Sequence, residues 1–413
     1  MTSTQSKVPQ LRFTEFKFDY AYVAYRFEDI FLFSSGKNIK QAEASPEYEI
    51  PCVRYGELYH LYDEVITKTI NKTNLDESEL TFSEGNEILL PSAGEDPLDI
   101  GSASALTLKD VAIGRTINVL RPKGEIAYSH IYMSYYINKK LRRQISTLAR
   151  GASISNVYNS DLKTLKSNLP EIQEQNKVAS FATTVDKKIS LLKQKNEQLV
   201  QYKKGIMQQL FSQKLCFKND DGQDFPDWTS AQLKSILVLQ NNPVDMQDDK
   251  EYELITAKRR NGGIVSRGKY LGKEVLVKSQ FELKENQFVI SKRQIVHGAC
   301  GLVPKYLEGA ILSNEYNVFE GEPDILDIHY FNLFSKTPEM KKAYFRNSDG
   351  VHIEKLLFRT KDWLKTRIQL PTLDEQKRIV SFSIELEKKI GLIQQQIEQT
   401  QAYKQGLLQQ MFV

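Results

Sequence analysis

The sequence has few of the features that usually indicate secretion or membrane insertion. Its 413 residues include only three cysteines, Cys52, Cys216 and Cys300, which lie far apart and form no CxxC pair and no zinc-ligand spacing. We therefore predict three buried thiols in a cytoplasmic protein. No run of eighteen apolar residues occurs, and the first residues lack an apolar signal core. Neither a membrane-spanning helix nor secretion is expected.

Catalytic motifs are also scarce. The sequence contains no P-loop, no GxGxxG and no HExxH, and we interpret its five scattered histidines as core or surface residues. Residues 241–244 (NNPV) resemble the amino-methyltransferase motif only faintly, because the second proline and the stacking aromatic are missing. Residues 282–284 (ELK) lack a convincing Pro-Asp partner of a metal-dependent nuclease. A reactive Cys300 would need a histidine partner that no motif supplies. We predict no catalytic, cofactor-binding or metal-binding residue.

The main positive feature is an internal repeat. Residues 169–211 and 370–412 align without a gap at an offset of about 201 residues, and about 19 of the 43 positions are identical. Such a period, roughly half the chain, indicates a tandem duplication. The length is consistent with two or three domains. The net charge of +4 is too small to indicate a partner.

Each copy of the repeat has a heptad pattern, which predicts a helix of about 40 residues and about 60 Å. The predicted pairing residues are Val178, Val185, Leu192, Leu199 and Ile206 in the first copy and Ile379, Leu386, Ile393, Thr400 and Leu407 in the second. The positions three or four residues later are Phe181, Ile189, Asn196, Tyr202 and Leu210, and Phe382, Ile390, Ile397, Tyr403 and Met411. A helix this long cannot bury its stripe alone. We predict that the two copies pair antiparallel about a pseudo-two-fold axis; the alternative is that each packs only on its own domain.

The segments before the helices differ in sequence far more than the helices do. Both contain short β-rich runs and end in helical runs, which predicts the α+β class. We predict globular α/β-mixed domains over 1–168 and 213–369, joined by spacer helices over 169–212 and 370–413. Residues 250–305 are rich in lysine and arginine interleaved with glycine, as in loops that approach phosphates or base edges. The alternative interpretation of this segment is a solvated basic face.

Short motifs in a fixed order carry a family resemblance. They are the opening 8–13 (VPQLRF), two LPxxxEQ starts at 169–175 and 370–376, two endings of the form YKxG(I/L)(M/L)QQ(L/M)F, and the joint 213–217 (QKLCF) through 224–228 (DFPDW). Across essentially all 413 residues, the chain resembles the specificity subunit of type I restriction–modification systems.

The resemblance implies a DNA-binding subunit without its own catalysis, in the cytoplasm of a prokaryote. Each globular segment would be a target recognition domain that reads one half of an asymmetric bipartite site in double-stranded DNA. The helices would set the spacing and dock two modification subunits, which carry S-adenosylmethionine and methylate adenine. Restriction subunits that use ATP and Mg would complete the complex.

Local chemistry suggests which residues contact DNA, because arginine and lysine suit guanine edges and phosphates, and asparagine suits adenine edges. The candidates are Lys258, Arg259, Arg260, Asn261, Arg267, Lys292 and Arg293 in the second segment, and Arg54, Tyr55 and Arg115 in the first. Two other functions stay open at this point: a nuclease or methyltransferase acting alone, and a coiled-coil adaptor that never touches DNA.

Overall fold

The chain divides into two compact units, each containing parts of both long helices. A computed structural model describes residues 8–19, 21–151, 154–353 and 356–413. Unit 1 comprises Met1–Gln194 with Gln394–Val413, and unit 2 comprises Lys195–Ile393. In unit 1, the part before the first long helix is called head 1. In unit 2, the part between the two long helices is called head 2. The first seven residues, in which no signal core was found, lie outside the described ranges.

Head 1 consists of short strands and short helices. Its strands are β1 Val23–Arg26, β2 Phe31–Ser35, β3 Ile50–Val53, β4 Val65–Ile66, β5 Asn71–Thr73, β6 Phe82–Glu84, β7 Glu87–Pro91, β8 Ala93–Gly94, β9 Ser104–Leu106, β10 Lys109–Ile113, β11 Ile117–Pro122, β12 Ser155–Asn156 and β13 Lys166–Leu169. Its helices are α1 Phe27–Ile30, α2 Glu57–His60, α3 Pro97–Ile100, α4 His130–Tyr136, continued by a π-helical turn at Ile137–Leu141, α5 Arg142–Leu148 and α6 Asn159–Leu162. The long helix α7 spans Ile172–Phe211.

Head 2 follows the same plan. Its strands are β14 Thr229–Gln232, β15 Leu237–Gln240, β16 Pro243–Val244, β17 Glu251–Ala257, β18 Ile264–Leu271, β19 Gln280–Glu282, β20 Phe288–Ser291, β21 Cys300–Leu302, β22 Ile311–Ser313, β23 Tyr316–Gly321, β24 Ser348–Asp349, β25 Leu357–Phe358 and β26 Arg367–Leu370. Its helices are α8 Ile328–Phe334, α9 Pro338–Arg346 and α10 Thr360–Trp363, followed by the long helix α11 at Leu373–Met411.

The strand orders of the two heads correspond. The inner sheet has the order β2-β11-β7-β9-β4 in head 1 and β15-β23-β20-β21 in head 2. The outer sheet has the order β5-β3-β10-β6 in head 1 and β18-β17-β22-β19-β16 in head 2, read from the equivalent end. In both, the first strand of the head pairs antiparallel with the strand that leads into the long helix, β1 with β13 and β14 with β26. The predicted α+β repeat of one fold is confirmed.

Alternate side chains of the outer-sheet strands explain why these strands form. In head 1, Val53 of β3 joins a buried cluster with Val111 and Ile113 of β10. The neighbouring residues Cys52 of β3 and Ala112 of β10 belong to a second cluster on the opposite face. In head 2, Ile255 and Ala257 of β17 are buried with Leu312 of β22. Successive residues of a strand point to opposite faces, so this alternation gives each outer sheet one face on the core.

The helices pair antiparallel within each unit, as predicted. In unit 1, Val178 and Ala182 are buried in one cluster with Leu408 and Met411, whereas Asp186 meets Lys404. In unit 2, Met207 and Phe211 pack against a cluster that contains Ile379 and Val380, whereas Lys203 meets Glu387. In each case the residue number falls along one helix as it rises along the other. The alternative of two helices packed separately on their own domains is therefore excluded.

Most of the predicted stripe is inside the pair, with one correction. Val178, Val185, Ile379, Leu386 and Ile393 are buried, and Leu192, Leu199, Ile206 and Leu407 are half-buried. The placement of Tyr202 and Tyr403 in the stripe was wrong, because their side chains are 52% and 59% exposed. The inner position belongs to the next residue, Lys203 or Lys404. Each lysine meets a carboxylate of the facing helix, which makes an inner lysine tolerable.

The end of each long helix is bound to a head in the same way. In unit 1 the ring of Phe412 makes edge contacts with Tyr132 and Tyr136 of α4. In unit 2 the ring of Phe211 contacts Tyr330 and Phe334 of α8. Head 1 is therefore completed by the end of α11, and head 2 by the end of α7.

The beginning of each helix is also tied to its head. The side-chain amide of Gln175 donates to the carbonyl of Pro170 (2.8 Å), and its oxygen accepts from the backbone of Ser129, the N-cap of α4 (2.9 Å). Gln376 makes the equivalent pair of bonds, to Pro371 (2.9 Å) and from Asp327, the N-cap of α8 (2.8 Å). The repeated LPxxxEQ motif thus joins helix to head through its glutamine.

The cysteine prediction holds for two of three residues. Cys52 and Cys300 are buried, and burial raises the pKa of their thiols to about 12 and about 11. Cys216 is exposed, so its predicted burial was wrong; it follows the end of α7 in a segment that packs little of its surface. No helix in the described part of the chain is long and apolar enough to cross a membrane.

Candidate nucleic-acid interface

The predicted basic residues of head 2 gather at one edge of its outer sheet. Strands β17 and β22 are parallel, so their carboxyl ends meet at the same edge. Lys258, Arg259 and Arg260 follow β17 in the tight turn to β18, and all three side chains are exposed. Asn314 and Glu315 follow β22.

The turn after β17 has a fixed backbone. Arg260 and Asn261 adopt left-handed conformations, with φ of 58° and 56°. Their N–H groups donate to the carbonyls of His297 (2.7 Å) and Gly298 (3.0 Å). Gly298 also has φ of 75°, and a Cβ there would lie 2.8 Å from Oδ1 of Asn261, so the close approach requires glycine. The exposed cations are therefore presented by a rigid turn.

Lys292 and Arg293 reach the same edge from the end of β20. The backbone N–H of Lys292 donates to the carbonyl of Glu315 (3.0 Å), and its ammonium donates to the carbonyl of Asn314. The guanidinium of Arg293 pairs with the carboxylate of Glu315 (2.9 Å). We call Lys258, Arg259, Arg260, Asn261, Lys292 and Arg293 together edge 2.

Arg267 lies apart from edge 2, on the face of the outer sheet that points away from the core. Its side chain is exposed and lines a cleft of about 280 Å³ together with Leu254, Tyr270, Gln280 and Ser313. Leu276 lies at this cleft and is 95% exposed. Edge 2 and the cleft thus give head 2 cations in two places.

Head 1 has an equivalent edge with fewer cations. Strands β3 and β10 are parallel, and the N–H of Gly114 donates to the carbonyl of Val53 (2.8 Å). Tyr55 and Arg115 follow these strands at their common carboxyl end, and both side chains are exposed. The sequence placed both residues among the candidates, and the fold brings them to one edge.

Arg54 is held inside head 1. Its Nε–H donates to the carboxylate of Glu57 (2.8 Å), and that side chain is buried and also accepts from Asn71 (2.8 Å). Arg54 would have to leave this pair to reach DNA. Its predicted contact with DNA stays a prediction that the geometry does not favour.

Lys37 is a candidate that sequence reasoning missed. Its side chain is exposed, and its backbone N–H donates to the carbonyl of Ile113 at the end of β10 (3.0 Å). The preceding Gly36 packs so closely on Gly114 that a Cβ would lie 2.1 Å from the carbonyl oxygen of Gly114. A glycine-lysine-asparagine run directly after a strand is the signal that could have indicated this lysine. We call Lys37, Tyr55 and Arg115 edge 1.

The exposed cations of the two edges suit contacts with a polyanion. No group of His, Cys, Asp and Glu side chains that could hold a metal ion is found in the described ranges. The buried thiol of Cys300 has a pKa raised by burial, which removes the thiolate that a nucleophile needs. Exposed cations on rigid turns can contact phosphates and base edges without chemistry of their own.

Comparison with known proteins decides the family. Residues 21–201 and 226–402 each match the family described as type I restriction modification DNA specificity domain. The chain belongs to this family. It is a DNA-specificity subunit of a type I restriction–modification complex, a component that contributes sequence specificity and not catalysis. Specificity subunits of this family bind no cofactor themselves.

Individual relatives agree over most of their length. The type I restriction enzyme MjaVIII specificity subunit of Methanocaldococcus jannaschii is 24% identical over 369 residues, which cover 84% of this chain and 82% of that one. The crystal structure of the S subunit from M. genitalium is similar with a TM-score of 0.58 and 14% identity, covering 98% and 99% of the two chains. The HsdS subunit from Thermoanaerobacter tengcongensis gives a TM-score of 0.51 at 13% identity, covering 96% and 97%. These structures share the fold of the specificity subunit described above.

Proposed function

We propose that this specificity subunit reads an asymmetric bipartite site in double-stranded DNA, one half with each head. The observation that supports this proposal best is the pair of equivalent sheet edges. Heads of one strand order present exposed residues at the same edge, but the residues differ, with Lys37, Tyr55 and Arg115 on edge 1 and several more cations on edge 2. Equivalent surfaces of different composition suit two different half-sequences.

We assign base reading and phosphate binding to the residues that lie at the two edges and at the cleft of head 2. On edge 2, Lys258, Arg259, Arg260 and Asn261 sit on the fixed turn, and Lys292 and Arg293 lie beside them. Arg267 would add a contact from the cleft. On edge 1, Tyr55 and Arg115 are the candidates, with Lys37 added. Arginine and lysine would bind guanine edges and phosphates, and Asn261 an adenine edge.

We further propose roles for the other parts of the chain and for its partner subunits. Residues 1–168 and 213–369 act as the two target recognition domains, and 169–212 and 370–413 act as the spacer. The helices dock two modification subunits, which carry S-adenosylmethionine and methylate adenine. Restriction subunits with ATP and Mg join them in the cytoplasm of a prokaryotic cell.

Mapping methylated adenines in a cell that expresses this chain with its modification subunit tests the proposal. We expect one new motif, made of two unlike short sequences separated by a fixed number of unspecified base pairs. The same cell with the modification subunit alone is the control. A motif that is symmetric, or no new methylation, would contradict the proposal.

The two alternative functions predict other results. A methyltransferase acting alone would bind S-adenosylmethionine tightly as the isolated chain, whereas the specificity subunit is expected to show no such binding. A coiled-coil adaptor would assemble with the modification subunit but leave the complex without preference for any DNA sequence.

A further inference from the structure

Each long helix places a lysine at an inner position of its otherwise mainly apolar stripe. The lysines are Lys203 of α7 and Lys404 of α11, which occupy equivalent places in the repeat. Lys404 is only 9% exposed. A buried ammonium is costly unless it is paired, so its partners carry information about what the fold must keep.

Lys404 joins three parts of unit 1. Its Nζ lies 2.6 Å from Oδ1 and 2.8 Å from Oδ2 of Asp186 on α7, and 3.3 Å from Oε2 of Glu64 in head 1. The ammonium also lies 5.0 Å from the ring centroid of Tyr135 on α4, and the hydroxyl of Tyr135 donates to Asp186. The ammonium of Lys404 on α11 thus bonds to Asp186 of α7 and to Glu64 of head 1.

Unit 2 repeats the pair in a weaker form. Lys203 pairs with Glu387, the equivalent of Asp186, but the side chain of Glu387 is 58% exposed. The position equivalent to Tyr135 is Leu333, which offers no hydroxyl. Exposed ion pairs contribute little to the stability of a protein, so the Lys404 ion pair of unit 1 is the stronger of the two.

Both pairs define the same register of the helices. The number of residues from Asp186 forward to Lys203 equals the number from Lys404 back to Glu387. The apolar stripe alone does not choose this register well, because a shift of one heptad again places apolar residues opposite apolar residues. A polar residue at an inner position is the usual means of specifying register in such a pair.

A shift of one heptad would break the Lys404 network in either direction. One direction would bring Lys193 opposite Lys404, and the other would bring Ala179 there. Both remove the carboxylate of the facing helix, and the first also adds a like charge. The shift would move one helix along the other by about 10 Å, since a helix rises 1.5 Å per residue. That distance corresponds to about three base pairs of DNA.

We propose that Lys404 is a positioning residue that, together with the contacts of Phe412 and Phe211 with the heads, fixes the register of the two helices and thereby the distance between the half-sites that the complex accepts. Asp186, Glu64 and Tyr135 hold Lys404 in place. The inference rests on the proposed function, because it assigns a residue to the spacing of a bipartite site.

The test uses the complex with the modification subunit and a DNA library with constant half-sites and a spacer that varies by single base pairs. The variant is Lys404→Met, which keeps the length of the side chain and removes the charge. The control is Lys388→Met, an exposed lysine of the same helix. We expect the ratio of methylation at the native spacing to methylation at spacings altered by up to three base pairs to fall about tenfold in Lys404→Met, and to stay unchanged in Lys388→Met.

An unchanged ratio in a folded, assembled Lys404→Met complex would overturn the inference. If that variant does not assemble, Asp186→Asn decides by the same ratio, because it leaves Lys404 with Glu64 alone. A wild-type complex that accepts all spacings equally would instead contradict the proposed function, so the two failures are distinguishable.

Discussion

Head 1 and head 2 share one order of strands but treat the outward face of the outer sheet differently. In head 1, Ile39 and Leu80 cover Cys52 and Ala112 and form a small buried cluster. In head 2, the corresponding face carries a cleft of about 280 Å³ with Arg267 and Tyr270 at its wall. The two heads therefore keep one strand order although their outward faces differ, which shows that the outward face and the edges can diverge while the order of strands is retained.

The two heads also differ at the joint between each head and the long helix that follows it, and this difference gives the test with the largest expected effect. Glu174 is 2% exposed and pairs with the buried guanidinium of Arg12, whose Nε–H donates to it (2.9 Å), and with Tyr22 (3.0 Å). Its equivalent, Glu375, accepts only from the indole N–H of Trp228 (3.0 Å) among the bonds found for its side chain in the described ranges. Glu174→Gln should destabilise the protein by about 3 kcal/mol, because a buried guanidinium loses its counter-ion.

Glu375→Gln is the matched variant, and it should change the free energy of unfolding by less than about 1 kcal/mol, because the indole N–H can still donate to an amide oxygen. Burial raises the pKa of Glu375, so the stability that this group contributes is present at acidic pH and is lost as the pH rises through its pKa in the folded chain. Relative to wild type, Glu375→Gln should therefore gain stability as the pH rises. Urea denaturation at several pH values checks both variants, and equal losses for Glu174→Gln and Glu375→Gln would contradict the comparison.

A second test compares the outward faces of the two outer sheets. Leu80→Ala removes part of the cover of head 1, and we expect a loss of about 2 kcal/mol in the free energy of unfolding. Leu276→Ser at the cleft of head 2 should stay within about 0.5 kcal/mol of wild type, since its side chain is 95% exposed. Thermal denaturation of the two variants measures the difference. A destabilising Leu276→Ser would mean that the cleft of head 2 is covered in solution.

The third and smallest effect is expected at the edges. Lys258→Ala with Arg260→Ala in edge 2 should weaken DNA binding by the assembled complex about tenfold and reduce the slope of log affinity against log salt by about 2. Lys37→Ala with Arg115→Ala in edge 1 is the matched variant and should act in the same direction with a similar change of slope. If neither pair alters the slope, the edges do not face DNA phosphates.

The sequence predicted the large-scale architecture because the architecture is repeated. Two copies of one heptad helix indicated the antiparallel pair, and the polar turn after a strand-like run indicated Lys258 to Asn261. The inner lysines could not be predicted, since Lys404 differs from a surface lysine only through Asp186 and Glu64, which are distant in sequence. The pairing of Arg54 could not be predicted either, because the fold is needed to show that its Nε–H donates to the carboxylate of Glu57. The glycine-lysine-asparagine run at 36–38 could have indicated Lys37 as a turn residue, but its place at edge 1 depends on the pairing of strands.

Exchanging one head tests most directly whether each head reads its own half of the site. Residues 213–369 would be replaced by the corresponding segment of another specificity subunit, and methylated adenines would be mapped in cells that carry the modification subunit. We expect that one half of the recognised sequence changes, while the other half and the spacing stay the same. A change in both halves, or in neither, would contradict it.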